Sequence, residues 1–343
     1  MNVLSDLMLG TISFPGLGLE FEIDRIAFTI GKFSVYWYAI FIVGAMVISG
    51  IIAMIQCKKY GIKDEDVLDN LLFALPAAII GARMYYVVFE WASFRKETLW
   101  QTVAAIFNIR DGGLAIYGGL IAAALAVYVV ARVKKINFLH LFDFAVPYIA
   151  LSQAIGRWGN FVNQEAFGVN TTLPWGMTGD QIVRTLLSRQ GELAALGMNV
   201  DPYAPVHPTF LYESLCNAII AVVLFVLRRK FMDRKEGYNT FMYLSLYGLC
   251  RAFIEGLRTD SLMMGSIRVS QLVALVCFLA CGTLAVLFMR KKASRDYFAG
   301  VTEADVYPVD TVEVSVENTA VDMDSEENVD PLEEQSQDVV DNG

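Results

Sequence analysis

The feature that most constrains this chain is a series of seven apolar runs, at about 34–56, 67–89, 112–131, 139–156, 209–227, 239–256 and 268–289. About 20 residues of helix cross a bilayer, and inside lipid every backbone N–H and C=O must be satisfied within the segment itself, which a helix does. The expected fold is therefore an all-α integral membrane protein with seven transmembrane helices. The stretch 1–33 lacks the basic start of a signal peptide and is interrupted by Asp6, Glu20, Glu22 and Asp24.

Charge gives the orientation. With the N-terminus outside, the short inner loops and the stub 290–295 hold 15 of the 27 Lys and Arg residues, as the positive-inside rule requires. The C-terminus is then cytoplasmic. Trp37, Trp91, Trp100, Trp158 and Trp175 fall near the outer interface, where indole rings are favoured. The net charge of −9 belongs to two parts. Residues 296–343 hold 15 Asp or Glu and no Lys or Arg, leaving +6 on residues 1–295. That acidic stretch has no apolar stripe and is expected to be a disordered cytoplasmic tail. The expected domains are a membrane body, 1–295, and the tail. Within the body, 157–208 forms a small outer head with two short amphipathic stretches near 179–190 and 191–198.

Ionisable groups in hydrocarbon are functional candidates. Arg83, Glu213, Arg251 and Glu255 all fall in the outer half of their spans, Arg83 roughly 9 Å below the outer end of the second. Asp143, near the inner face, can snorkel or pair with Lys134 or Lys135. Tyr247, Arg251, Glu255 and Arg258 are spaced to form one helix stripe. Their guanidinium forks suit phosphate oxygens, and Glu255 can orient both arginines. The stretch Gly156-Arg157-Trp158-Gly159-Asn160-Phe161-Val162-Asn163-Gln164-Glu165-Ala166-Phe167-Gly168 gathers charge, amides and glycines where the fourth span reaches the outer surface. His207-Pro208 opens the fifth span. Asp111-Gly112-Gly113 leads into the third span, with Tyr117 near its outer end. No His, Cys, Asp and Glu grouping has metal-ligand spacing, so no metal or cofactor is expected, and nothing suggests a nucleic-acid partner.

The Gly156–Gly168 stretch resembles the signature of bacterial prolipoprotein diacylglyceryl transferases. Trp37-Tyr38, His207-Pro208-Thr209-Phe210-Leu211-Tyr212-Glu213 and the stretch from Tyr247 to Arg258 match in the same order, over roughly 25–292. The resemblance implies transfer of a diacylglyceryl group from phosphatidylglycerol to the lipobox Cys thiol of a prolipoprotein, with release of glycerol phosphate, at the outer leaflet of the bacterial cytoplasmic membrane. It links Arg157, Asn160, Glu165, Tyr38, Arg251, Glu255 and Arg258 to activity. From the residues themselves, Arg157, Arg251, Glu255, Tyr117, Tyr38 and His207 are the catalytic candidates, and Arg157, Asn160, Asn163, Glu165, Arg258, Arg83, Gly156 and Gly159 the substrate-binding candidates. Tyr117, Tyr38 and His207 are the open choices for relaying the thiol proton. The family pattern has His-Gly-Gly where this chain has Tyr117-Gly118-Gly119, which weakens a histidine base at that position. The competing reading is a transporter with an outward-facing, Arg-lined anion cavity; against it, no inverted repeat is evident.

Overall fold

The computed structural model describes residues 9–109, 112–230, 234–259, 263–264 and 267–292. Asp6, Asp111 and the acidic tail 296–343 lie outside the described residues. The long helices are α1 (Trp37–Gln56), α2 (Asp64–Phe89), α5 (Ile116–Lys134), α6 (Phe138–Asn163), α8 (Thr209–Lys230), α9 (Tyr238–Glu255) and α10 (Val269–Met289). Two short helices, α3 (Trp91–Phe94) and α4 (Leu99–Phe107), follow α2, and α7 (Asp180–Ala195) lies between α6 and α8. Among the described residues, six helices are long and apolar enough to cross a membrane. The seventh long helix, α9, has 18 residues but carries Asn239, Thr240, Arg251 and Glu255.

The bundle is arranged around α6, which packs on α1, α8 and α9; α9 in turn packs on α10, and α2 on α5. In α6 and α8, 39% of the apolar window is buried, against 17% in α1 and 11% in α10. The outer helices therefore turn large apolar side chains outward, such as Ile55, Leu72 and Val133. So much exposed apolar surface suits lipid rather than water. Central position also explains why α6 can carry polar groups: they face other helices.

Asp143 shows this and corrects the snorkelling expectation. Its carboxylate accepts the backbone N–H of Gly237 (2.6 Å) and Thr240 (2.7 Å) and the Thr240 hydroxyl (2.6 Å). A carboxylate from one helix thus caps the N-terminus of another, satisfying donors that α9 cannot use itself. Lys134 instead pairs with Asp66 and Asp69 of α2.

The end of the bundle opposite these bases carries structure that the helical pattern did not announce. Strands β1 (Leu9–Phe14) and β2 (Leu19–Asp24) pair antiparallel, and β3 (Ile26–Ile30) pairs with β4 (Phe33–Tyr36). Strand β4 runs into α1, so the first helix begins at Trp37 rather than at 34. Strand β5 (Thr178–Gly179) adds to the free edge of β1. Ile12 and Phe14 of β1 share a buried core with Phe167, Met177, Ile182, Leu186 and Val206. The head core thus takes in the N-terminal strands as well as the 164–206 segment. The two amphipathic stretches expected there are one continuous helix, Asp180–Ala195, with Gly191 inside it.

Candidate active site

Three helix ends meet beside the head: the C-terminal turns of α6 and α9, and the first turns of α8. Glu213, one turn into α8 and 3% exposed, sits where they converge. Its Oε1 accepts from Arg251 Nη1 at 2.9 Å and from Arg258 Nη1 at 2.7 Å, and Arg157 pairs with its other oxygen. Arg251 Nη2 lies 2.7 Å from Glu255, one turn on along α9. Glu255 is 1% exposed and Arg258 is 8% exposed. Buried charges persist only when paired and hydrogen-bonded, and this cluster meets that condition with three guanidinium groups against two carboxylates.

Above the cluster lies a chamber of about 390 Å³, lined among others by Arg25, Arg157, Asn160, Glu165 and Arg258. Arg157 Nη1 donates to Asn160 Oδ1 at 3.3 Å. The amides of Asn160 and Asn163 donate to Glu165 at 3.5 and 3.2 Å. Gln164 ends α6 in a left-handed conformation, and its Oε1 accepts the Gln181 N–H at 2.8 Å. It thereby ties the end of α6 to the start of α7, so the head helix becomes a wall of the chamber. Tyr38 lies within electrostatic reach of Arg157 and Glu165. Gly159 allows this, since a Cβ there would lie 2.9 Å from the Tyr38 ring.

The structure thus gathers Arg157, Asn160, Asn163, Glu165, Arg251, Glu255, Arg258, Tyr38 and Gly159. A Cβ on Gly156 would meet open space, so no close contact requires glycine there. Tyr117 is 61% exposed in the first turn of α5, and no described contact joins it to the arginine cluster.

His207 sits at the start of α8. Trp175 Nε1–H donates to the Tyr212 oxygen at 2.9 Å, and Tyr212 lies 3.1 Å from His207 Nδ1. An indole can only donate, whereas the Tyr212 hydroxyl both donates and accepts, so it can partner either neutral tautomer of His207. Burial pushes the His207 pKa below its ordinary value, which favours the neutral ring.

Arg83 is corrected. Its five N–H donors go to five backbone carbonyls, those of Ala105, Ile106, Asn108, Gly112 and Gly113, at 2.7–2.9 Å. No donor is left for a phosphate. Arg83 instead gathers the chain that joins α4 to α5, where Gly112 and Gly113 have φ of 83° and 76°, a region that L side chains rarely adopt. Arg83→Gln is expected to lower stability by about 2–4 kcal/mol, which thermal melting checks.

Sequence reading marked Glu213 as a functional candidate but gave it no role. Its depth in the fifth span was visible, but no spacing along one helix connects it to Arg157 on α6 or Arg251 on α9. Arg25, Gln164 and Gln181 were missed, since only folding brings strands and the head helix to the chamber.

Residues 25–287 match the family described as prolipoprotein diacylglyceryl transferase. The chain is 42% identical over 275 residues to the phosphatidylglycerol–prolipoprotein diacylglyceryl transferase of Finegoldia magna, covering 80% of this chain and 99% of that relative. It is 41% identical over 269 residues to the protein of that name from Clostridioides difficile, covering 78% and 96%. A match of that extent, running through the chamber and the three helix ends beneath it, means that the chain belongs to the prolipoprotein diacylglyceryl transferase family.

Proposed function

We propose that this transferase moves the diacylglyceryl group of phosphatidylglycerol to the lipobox Cys thiol of a prolipoprotein within the Arg157 chamber. The observation that carries this reading is the convergence of Arg157, Arg251 and Arg258 on one buried carboxylate beside a polar chamber. The thiol loses its proton and the sulfur attacks the glyceryl carbon that bears the phosphate. The C–S bond forms, the C–O bond breaks, and the phosphate leaves with the electron pair as glycerol phosphate. A thiol has an ordinary pKa near 8.5, so positive potential that favours the thiolate also stabilises the leaving phosphate. Arg157 takes the phosphate, Arg251 and Arg258 complete the field, and Glu213 and Glu255 orient them. Asn160 and Asn163 hold the polar headgroup together with Glu165.

For the thiol proton we assign Tyr38 and Glu165 as the relay, since the Tyr38 ring packs against Gly159 on the helix end that carries Arg157 and Glu165. Positioned proton transfer contributes about 10²–10⁴-fold. Tyr38→Phe is expected to lower kcat at least about tenfold with little change in KM; peptide lipidation at varied pH measures both.

All seven long helices are read as crossings of the bacterial cytoplasmic membrane, with the N-terminus and the chamber on the outer side and the bases at the inner ends. The deciding experiment incubates purified protein, phosphatidylglycerol and a lipobox peptide. A diacylglyceryl mass increment that disappears when the Cys is replaced by Ser supports the reading, and its absence with active-site residues intact overturns it.

A further inference from the structure

Arg157, Arg251 and Arg258 share Glu213, and Arg251 also faces Glu255. Much of their charge is therefore balanced before any substrate arrives. Arg25 is different. It lies between β2 and β3, half-buried, and lines the same chamber as Arg157 and Arg258. Its Nη2–H donates to the Asn163 carbonyl at 3.1 Å, and among the described residues it has no carboxylate at ion-pair distance. Nearby acids are held elsewhere. Asp24 accepts the Ile26 N–H at 2.8 Å, and Glu165 accepts from the amides of Asn160 and Asn163. Arg189, on the head-helix side of the chamber, is bound through two nitrogens to Glu192 at 2.8–2.9 Å.

We propose that Arg25 forms a phosphate subsite on the head side of the chamber, selective for a phosphate monoester over a phosphodiester, which takes up the departing glycerol phosphate. The inference rests on the transferase reading. The phosphodiester of the intact lipid carries one negative charge. When its C–O bond breaks, the phosphate becomes a monoester of about −1.5 to −2 at pH 7. Only an interaction that strengthens as this charge develops accelerates the step. The three paired arginines share their charge with two carboxylates, whereas Arg25, bonded to a carbonyl, adds its own charge to the field that meets the developing phosphate. Arg25 has donors left after its bond to Asn163, in a planar fork that fits two phosphate oxygens. Its place among the strands, rather than on a membrane helix, puts it on the side from which a water-soluble product leaves.

The test uses the full-length protein in phosphatidylglycerol-containing vesicles, with a lipobox peptide and added glycerol phosphate as inhibitor. Arg25→Gln keeps a donor for the Asn163 carbonyl and removes the charge. It is expected to raise the inhibition constant for glycerol phosphate about tenfold and to lower kcat about fivefold, with KM for phosphatidylglycerol changed less than about threefold. Arg25→Lys keeps the charge and is expected to hold that inhibition constant within about threefold of the wild type. An unchanged inhibition constant in Arg25→Gln overturns the proposal, as does an Arg25→Lys variant as weak as Arg25→Gln, since the role would then be geometric. If Arg25→Gln melts early, Arg25→Lys decides alone: retained, salt-sensitive inhibition supports the subsite and lost inhibition overturns it. Absence of transfer by the wild type would instead remove the transferase reading. A wild type that transfers, matched in every constant by Arg25→Gln, would remove only the subsite.

Discussion

Replacing Glu213 by Gln is expected to abolish transfer to within about 10⁻² of the wild-type rate or below and to lower stability by about 3–5 kcal/mol. The carboxylate holds arginines from both neighbouring helices: Arg157 of α6, and Arg251 and Arg258 at and beyond the end of α9. Glutamine keeps the shape and one acceptor oxygen. It loses the charge, and its amide N–H₂ faces guanidinium donors that it cannot accept from. Three cations would then meet with Glu255 as the one carboxylate left in the cluster, their repulsion weakly screened in a part-buried site, and the simplest relief is for one or more to swing out. Lipidation of a lipobox peptide and thermal melting in detergent measure the two effects. Activity near wild type would show that the arginines hold their places without this hub.

Arg157→Lys is expected to lower the transfer rate by about 10²–10³-fold while the protein remains folded. Arg157 bridges two partners, Glu213 beneath it and Asn160 at 3.3 Å, and still lines the chamber. A guanidinium does this because its donors diverge from a rigid plane. An ammonium on a flexible stem can satisfy the carboxylate or reach a phosphate, but it cannot present two parallel donors while doing either. Single-turnover rates with phosphatidylglycerol and peptide check this, with circular dichroism to confirm the fold. Turnover near wild type would mean that only charge is required at this position.

These two residues differ in how legible they were. Arg157 was legible because the chemistry of its surroundings is local: Gly159, Asn160, Asn163 and Glu165 lie within nine residues of it on one helix end and the loop beyond. The stripe Arg251, Glu255 and Arg258 was legible for the same reason, since 3.6-residue periodicity converts spacing into a face. Glu213 has no such local partners. It becomes the hub only because α8 packs against α6 and α9, and packing partners leave no periodic mark in a chain. Arg83 shows the reverse error. Its depth in the membrane marked it as functional, yet its five donors are satisfied by carbonyls up to 30 residues away along the chain.

The sequence by itself determined the mostly helical architecture with long apolar helices that suit a bilayer. Those properties follow from length, hydrophobicity and charge, which act locally and are counted without knowing any contact. Only the tertiary structure decided which polar groups are machinery and which are scaffold. Asp143 became the cap of another helix, Arg83 the clamp of a connecting segment, and Arg25 a wall of the chamber. Those outcomes depend on hydrogen-bond geometry between segments distant in sequence. A buried donor or acceptor takes whichever partner the fold brings within about 3 Å.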